Sequence, residues 1–391
     1  MKSNDIEKIT LQSDYDISRV QMTGTRYRIK KRESQVASTD KKNVDFFDFL
    51  KFRKQTEDRI VYFQEKDFTN CNSLAEKILR VVISQKYRAG NANLINLEKH
   101  KTELLSKFQS HIDKNEAVKF MLPAFPFKIR NPLKSSRMDA DLAEVASFCK
   151  FNEINLQIQK IYSPGAEFHI FHDGHLYYRH FLHTKEDADN YFNSLKKFVR
   201  ELRLEKVVVL RDAFEELQKF DDFQKAYDEA RVEMHNLWNS EKETNQRILT
   251  IRKSSDDNIN LSDIDENTLY QIATKLDYDL DEETKKIKQE ILRRADLCAF
   301  EYMVVQHALE KLKFFDRSVP NGVRMTVHPK EGQIGIFLVK KTTFLLPWMG
   351  VGVMKKNGEV SVRYEHEVKN NSHFVPVFVR TDKFPFYYEE K

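Results

Sequence analysis

Glycine and proline are scarce in this 391-residue chain, at 10 and 9 residues. That shortage excludes collagen-like, glycine-linker and proline-rich architectures and leaves long helices to be expected. Cysteine is scarcer still: Cys71, Cys149 and Cys298 form no CxxC pair, which speaks against a disulfide framework or a thiolate zinc site and for a reducing cytoplasm. A membrane-spanning helix needs ~20 apolar residues; the longest weakly polar run, residues 344–354, is about half of that, and no apolar signal region opens the chain. A cytoplasmic protein with no membrane partner is expected. Excess charge of one sign is also missing. Lys and Arg number 65 against 60 Asp and Glu, a formal net charge of +5, too even a balance to argue for nucleic acid.

What is present is apolar mass. Hydrophobic residues make up 40% and aromatics 12%, with 29 Phe and 15 Tyr, enough to bury a large core. Residues 1–43 carry Arg19, Arg26, Arg28, Lys30, Lys31 and Arg32 in polar company and read as a mobile basic tail; residues 44–391 read as a single domain. No proline precedes Pro123, none lies between Pro164 and Pro320, and no glycine lies between Gly174 and Gly322. That interval should be mainly helical. Its acidic middle, 254–283, is expected as a surface excursion.

Periodicity predicts helices over 73–87, 97–112, 141–150, 185–203 and 286–315, and strands over 118–122, 156–162, 167–172 and 207–210. This alternation points to an α/β sheet flanked by helices, whose ligand sites sit at the carboxyl ends of strands. From Val323 onward the texture is that of an antiparallel β meander. Arg324, Thr326 and His328 share one strand face, and Asn357-Gly358 signals a hairpin between 351–354 and 360–364.

Several constellations can carry chemistry. The proline-stiffened segment 122–134 presents Lys128, Arg130 and Lys134, which can grip a phosphate or carboxylate or be ordinary surface charges. Asp141 and Glu144 lie three apart at a helix start, where they can cap the helix or serve as acid and base. Five histidines fall in 166–183 (His169, His172, His175, His180 and His183), but their spacing separates them across a strand and a turn, and no metal site is assigned. Asp173, beside Gly174 at a strand end, is the stronger candidate there. His328 beside Arg324 suits proton transfer near a bound anion, with a structural histidine as the equal alternative. Trp348 is either core or the wall of an aromatic pocket.

Taken in order, these segments resemble the pyoverdine/dityrosine biosynthesis family, the isocyanide synthases and their spore-wall relatives. The resemblance rests on Pro123-Ala-Phe-Pro-Phe-Lys128, Asn131-Pro-Leu-Lys134, Asp141-Leu-Ala-Glu144, Ile161-Tyr-Ser-Pro-Gly165, Asp173-Gly174, Arg324-Met-Thr-Val-His328-Pro329, Pro347-Trp348 with Gly350, and Ser372-His373-Phe374. It implies a modified Rossmann-like α/β fold and an enzyme that converts the amine of Tyr or Trp to an isocyanide, with carbon from ribulose 5-phosphate and no cofactor. It also implies a downstream iron/2-oxoglutarate oxygenase as a pathway partner. Under it, His328, Asp141, Glu144 and Lys128 are the expected catalytic residues. Lys134, Arg130, Arg324, Asp173, Tyr162 and Trp348 are the expected substrate-binding ones. Removal of Lys128 or His328 should abolish turnover with little loss of melting temperature. The chain departs from the family at Met349, where histidine is common, at Phe127, often glycine, and at Ala140, usually proline. A member that only binds a sugar phosphate or a protein partner, or that forms an N-formyl amino acid or another amine/sugar-phosphate product, is the alternative.

Overall fold

The computed structural model describes residues 40–84, 99–327, 332–339, 345–380 and 382–391. In chain order the first elements are β1 (Lys42–Val44), α1 (Phe49–Glu57), α2 (Leu74–Ser84), α3 (Lys101–Asp113), β2 (Val118–Pro123), α4 (Leu142–Gln159), β3 (Ala166–His172), α5 (Gly174–Tyr177), α6 (Lys185–Glu201) and β4 (Val208–Asp212). A helical stretch follows, α7 (Ala213–Leu217), α8 (Phe223–Glu241), α9 (Gln246–Asn258), α10 (Glu266–Thr274), α11 (Glu282–Lys311) and α12 (Phe314–Ser318). The chain ends with β5 (Val323–Thr326), β6 (Ile334–Gly335), β7 (Val351–Met354), β8 (Val360–Arg363), α13 (Glu365–Lys369), β9 (Phe374–Val379) and β10 (Tyr387–Glu390).

The first sheet is ordered β4-β3-β2-β5-β6, and all its pairings are parallel. Its strands are apolar on both faces. In β2, Val118, Phe120 and Leu122 join the main core, whereas Met121 joins the core on the other side with Phe171 and the α11 residues Ile291 and Ala295. A sheet buried on both faces needs helices on both. The chain enters at β2, steps outward through β3 and β4, then returns to the far side of β2 with β5. That reversal creates a crevice outside the carboxyl ends of β2 and β5.

Helix α4 is buried nearly all round, with Leu142, Val145, Phe148, Phe151, Ile154 and Ile158 inside. Such a helix must be covered on every side. It lies between β3 and the second sheet, where it meets β7 and β8. That sheet is mixed, in the order β1-β9-β10-β7-β8: β1–β9 and β10–β7 are parallel, β9–β10 and β7–β8 antiparallel. Among the described residues no helix is long and apolar enough to cross a membrane.

Four sequence expectations are corrected. The antiparallel texture begins at β7 rather than at Val323, because β5 and β6 join the parallel sheet; a strand that follows a helical crossover and lies beside β2 runs parallel to it. The expected hairpin is β7–β8, with Gly358 at φ +75°. The strand expected over 156–162 is instead the end of α4 and its turn, since Ile154 and Ile158 continue the helical spacing into the core. The chain reverses at Gly165, where φ is +72° and a Cβ would stand 2.4 Å from Asn155 Oδ1. The acidic segment 254–283 is no surface excursion: Ile259, Leu261, Leu269, Ile272 and Ala273 are buried in one core with α11. Finally, Lys42 and Asn43 of the expected tail pair with β9, and residues 1–39 lie outside the described residues.

Candidate active site

The loop after β2 turns Lys128 inward. Its Nζ stands 2.9 Å from Asp141 Oδ2 and donates to both Glu144 oxygens at 3.0 and 3.1 Å and to the Pro347 carbonyl at 2.9 Å. All three charged side chains are fully buried. Asp141 is the N-cap of α4: its Oδ1 accepts from Ala143 N at 2.7 Å, and Glu144 Oε2 accepts from Asp141 N at 2.8 Å. The capping reading of this pair therefore holds, and the same carboxylates also grip a buried cation.

Two further residues complete the cluster. The Tyr191 hydroxyl, from α6, donates to Glu144 Oε1 at 2.9 Å. Gly352 N, from β7, donates to Asp141 Oδ1 at 3.2 Å; a Cβ at Gly352 would lie 2.8 Å from Ala143 N, so glycine is what lets β7 approach the helix start. The sequence carried a signal for the second, because a glycine inside a predicted strand implies close backbone approach. Tyr191 carried none, being one aromatic of an amphipathic helix.

The electrostatics follow from one cation buried with two carboxylates. Burial penalises the charge on Glu144, and Asp141 adds to that against the pull of Lys128, so its pKa rises to about 7. Lys128 is pushed down by burial, but its two carboxylates outweigh this and hold it above its ordinary value. The cluster can thus exchange a proton at neutral pH on Glu144 while Lys128 stays an ammonium.

The rim beside it comes from β3. His172 is fully buried, its Nδ1–H donates to the Phe125 carbonyl at 2.6 Å, and its ring stacks on Phe192 with centroids 4.4 Å apart. Burial, then the nearby His175, lowers its pKa to about 3, so it is neutral. His175 is held between Asp212 and Asp189, at 2.9 Å from the latter, and the bond to Asp212 above all raises its pKa. Gly174 is required here: a Cβ would fall 1.8 Å from the Pro126 carbonyl oxygen and 2.7 Å from the His172 ring. Asp173-Gly174 is thereby locked against the loop that carries Lys128. The other histidines disperse: His169 accepts from Arg211 and contacts Glu167, His180 bonds the Leu176 carbonyl, and His183 bonds the Asn258 carbonyl.

The remaining expected site residues divide. Arg324 leaves β5 toward α12 and lies over the Phe315 ring, its Cζ 3.3 Å from the centroid. Arg130 is one-third exposed and 3.5 Å from Asp187. Lys134 is buried instead of facing a ligand; its Nζ donates to the Asp257 carbonyl at 2.5 Å and stands 3.3 Å from that residue's carboxylate, a partner supplied by the misjudged acidic segment. Tyr162 is at the wrong end of the sheet, its hydroxyl donating to the carbonyls of Glu116 and His111, at 2.7 and 3.2 Å, ahead of β2. Trp348 is core, edge-on to Phe125 at 5.3 Å. His328 lies outside the described residues. Of the family departures, Phe127 is buried and stacks on His183 at 3.9 Å, and Met349 packs against the main core.

Known proteins align with this arrangement. A solved structure of the PvcA protein from Pseudomonas aeruginosa superposes with a TM-score of 0.63 at 19% identity, covering 82% of this chain and all of that one; it supports the α/β fold. Sequence relatives include an L-tyrosine isonitrile synthase of Xenorhabdus nematophila, 24% identical over 78% of this chain and 89% of its own length. An L-tryptophan isonitrile synthase of Fischerella ambigua is 27% identical over 60% of this chain and 67% of its own. Residues 108–375, which include β2, the Lys128 loop, α4 and β7, match the profile described as pyoverdine/dityrosine biosynthesis protein. With its buried cluster and switch-point loops inside the matched region, the chain belongs to the pyoverdine/dityrosine biosynthesis family.

Proposed function

We propose that the chain is an isocyanide synthase that converts the amine of an aromatic amino acid, tyrosine or tryptophan, to an isocyanide, with ribulose 5-phosphate as carbon donor. The observation that carries this reading is the Lys128–Asp141–Glu144 cluster at the crevice of the parallel sheet. The names of the relatives supply the substrate class. Joining an amine to the ketose carbonyl needs a proton taken from the ammonium and protons delivered to the departing oxygen. A carboxyl that titrates near neutrality, Glu144, suits both transfers. Lys128, held as an ammonium, acts as a fixed positive charge and not as a nucleophile. Because Lys128 and Lys134 are buried, the phosphate falls to Arg130, the partly exposed cation of the same loop.

The product is an isocyanide that an iron/2-oxoglutarate oxygenase can consume. The test is incubation of the purified chain with aromatic amino acids and ribulose 5-phosphate labelled at C2, read by mass spectrometry. Labelled isocyanide is the expected product. Met349 and Phe127 favour a second reading, a member that binds without turnover or releases an N-formyl amine. Labelled N-formyl product, or no product with a melting temperature still raised by ribulose 5-phosphate, would select that reading; neither product nor binding would remove both.

A further inference from the structure

Arg324 is the one group of the expected site whose surroundings no role above explains. Its Nη1 is buried and has no hydrogen-bond partner among the described residues, a costly state for a guanidinium, which carries five N–H donors. Its plane is fixed over Phe315, and Phe315 stands edge-on to Phe171 at 5.2 Å. Beside them Tyr177 and Tyr302 pack with ring centroids 4.8 Å apart, and Gln306 pins the Tyr177 hydroxyl with a 2.6 Å bond. Asp173 sits where this aromatic group meets the catalytic rim. Its carbonyl starts the helix that carries Tyr177, and the adjoining Gly174 abuts Pro126.

We infer that Arg324 and Asp173 form the clamp for the zwitterionic head of the amino-acid substrate, carboxylate on Arg324 and ammonium on Asp173, with Phe315, Tyr177 and Tyr302 beside its aromatic side chain. The inference rests on the reading above and specifies which substrate this part of the crevice takes. Charge decides it. Asp173 and Asp316 both act on Arg324, and among the described residues Asp316 has a 3.8 Å contact to Lys107. One guanidinium among two carboxylates has no positive charge to spare for a phosphate dianion, whereas an α-amino acid adds none net. Burial also lowers the Arg324 pKa to about 10, so a carboxylate that restores its pairing is favoured. A carboxylate has about four acceptor directions and can take an ammonium beside its existing contacts.

The test is calorimetric titration of the full chain with L-tyrosine, L-tryptophan and ribulose 5-phosphate, and with two truncated tyrosines: tyramine, which lacks the carboxylate, and 3-(4-hydroxyphenyl)propionate, which lacks the amine. Arg324→Gln should weaken the amino acid at least ~30-fold while tyramine changes less than ~3-fold. Asp173→Asn should weaken the amino acid about tenfold while the propionate does not weaken. Ribulose 5-phosphate should hold within ~3-fold in both variants and weaken in Arg130→Ala. Arg324→Lys, which keeps the charge and lacks the fork, should fall between wild type and Arg324→Gln and covers a folding failure of the latter. Loss of ribulose 5-phosphate binding in Arg324→Gln with the amino acid unaffected would overturn the clamp and leave the synthase reading standing. A wild-type chain that binds neither substrate would remove that reading first, and the clamp with it.

Discussion

The two ends of the parallel sheet are built to different rules. At the amino end, among the described residues, polar groups meet backbone partners: the Tyr162 hydroxyl donates to two carbonyls, and His111 Nε2 meets the Asn321 carbonyl. At the carboxyl end, Lys128, Asp141 and Glu144 are buried as ions or near-ions, and among the described residues His172 Nε2 and Arg324 Nη1 have no hydrogen-bond partner. Burial of charge is destabilising unless well paired. Among the described residues the paired buried charge lies at the carboxyl end, where the chain reverses direction across the sheet, and that is where the proposed chemistry is placed.

The sharpest way to break this contrast is to remove the cation. Lys128→Ala leaves two buried carboxylates facing one another, which should cost about 3–5 kcal/mol and lower the melting temperature by roughly 4–6 °C, with turnover lost. This revises the expectation from sequence alone, which foresaw loss of turnover without loss of stability. The revision comes from the complete burial of Lys128. Thermal unfolding checks it; an unchanged melting temperature would mean that the carboxylates are not held as described.

Glu144→Gln should affect chemistry more than folding, with turnover reduced about 10²–10⁴-fold. In the wild type, kcat/KM should rise with pH through about 7 as Glu144 ionises, and the variant should lack that limb. Stability should run the other way. The folded pKa of Glu144 lies above its unfolded value, so its contribution is fully present below that unfolded value, about 4.3, and is lost as pH rises through about 7. Opposite slopes of activity and stability over pH 5–7 are the signature; parallel slopes would assign the limb elsewhere.

Tyr191→Phe is a smaller change to the same group. It removes a donor to Glu144 without emptying the core, so the melting temperature should hold within about 3 °C. The activity limb should move to higher pH, since the lost bond stabilised the carboxylate, and turnover at neutral pH should fall about tenfold. A fall in turnover with the limb unmoved would make Tyr191 a packing residue only.

These residues also mark how far the sequence was legible. Lys128, Asp141 and Glu144 were legible because a helix start and a proline-stiffened loop are local features with known geometry. The parallel strands were legible as apolar runs, but the placement of β5 was not: a strand reads the same whether it joins a parallel sheet or a meander. Lys134 was misread because its partner, Asp257, lies 123 residues away in a segment whose ten acidic residues masked its buried apolar ones. Tyr191 and the packing around Arg324 were illegible for the same reason, since an aromatic on a helix face shows no sign of which side chain it will meet.

The mildest prediction tests the quiet end. Tyr162→Phe deletes a hydroxyl that binds the Glu116 and His111 carbonyls and removes nothing from the carboxyl rim. The buried carbonyls lose a donor, at about 1 kcal/mol, so the melting temperature should fall by about 1–2 °C, while kcat and KM for both substrates stay within twofold. The family motif around Ile161–Gly165 would then be a fold motif, shaping the turn at Gly165 that launches β3 in register with β2. Should Tyr162→Phe instead cut kcat more than tenfold at an unchanged melting temperature, the amino end would belong to the catalytic machinery and the division of the sheet into a structural and a chemical end would fail.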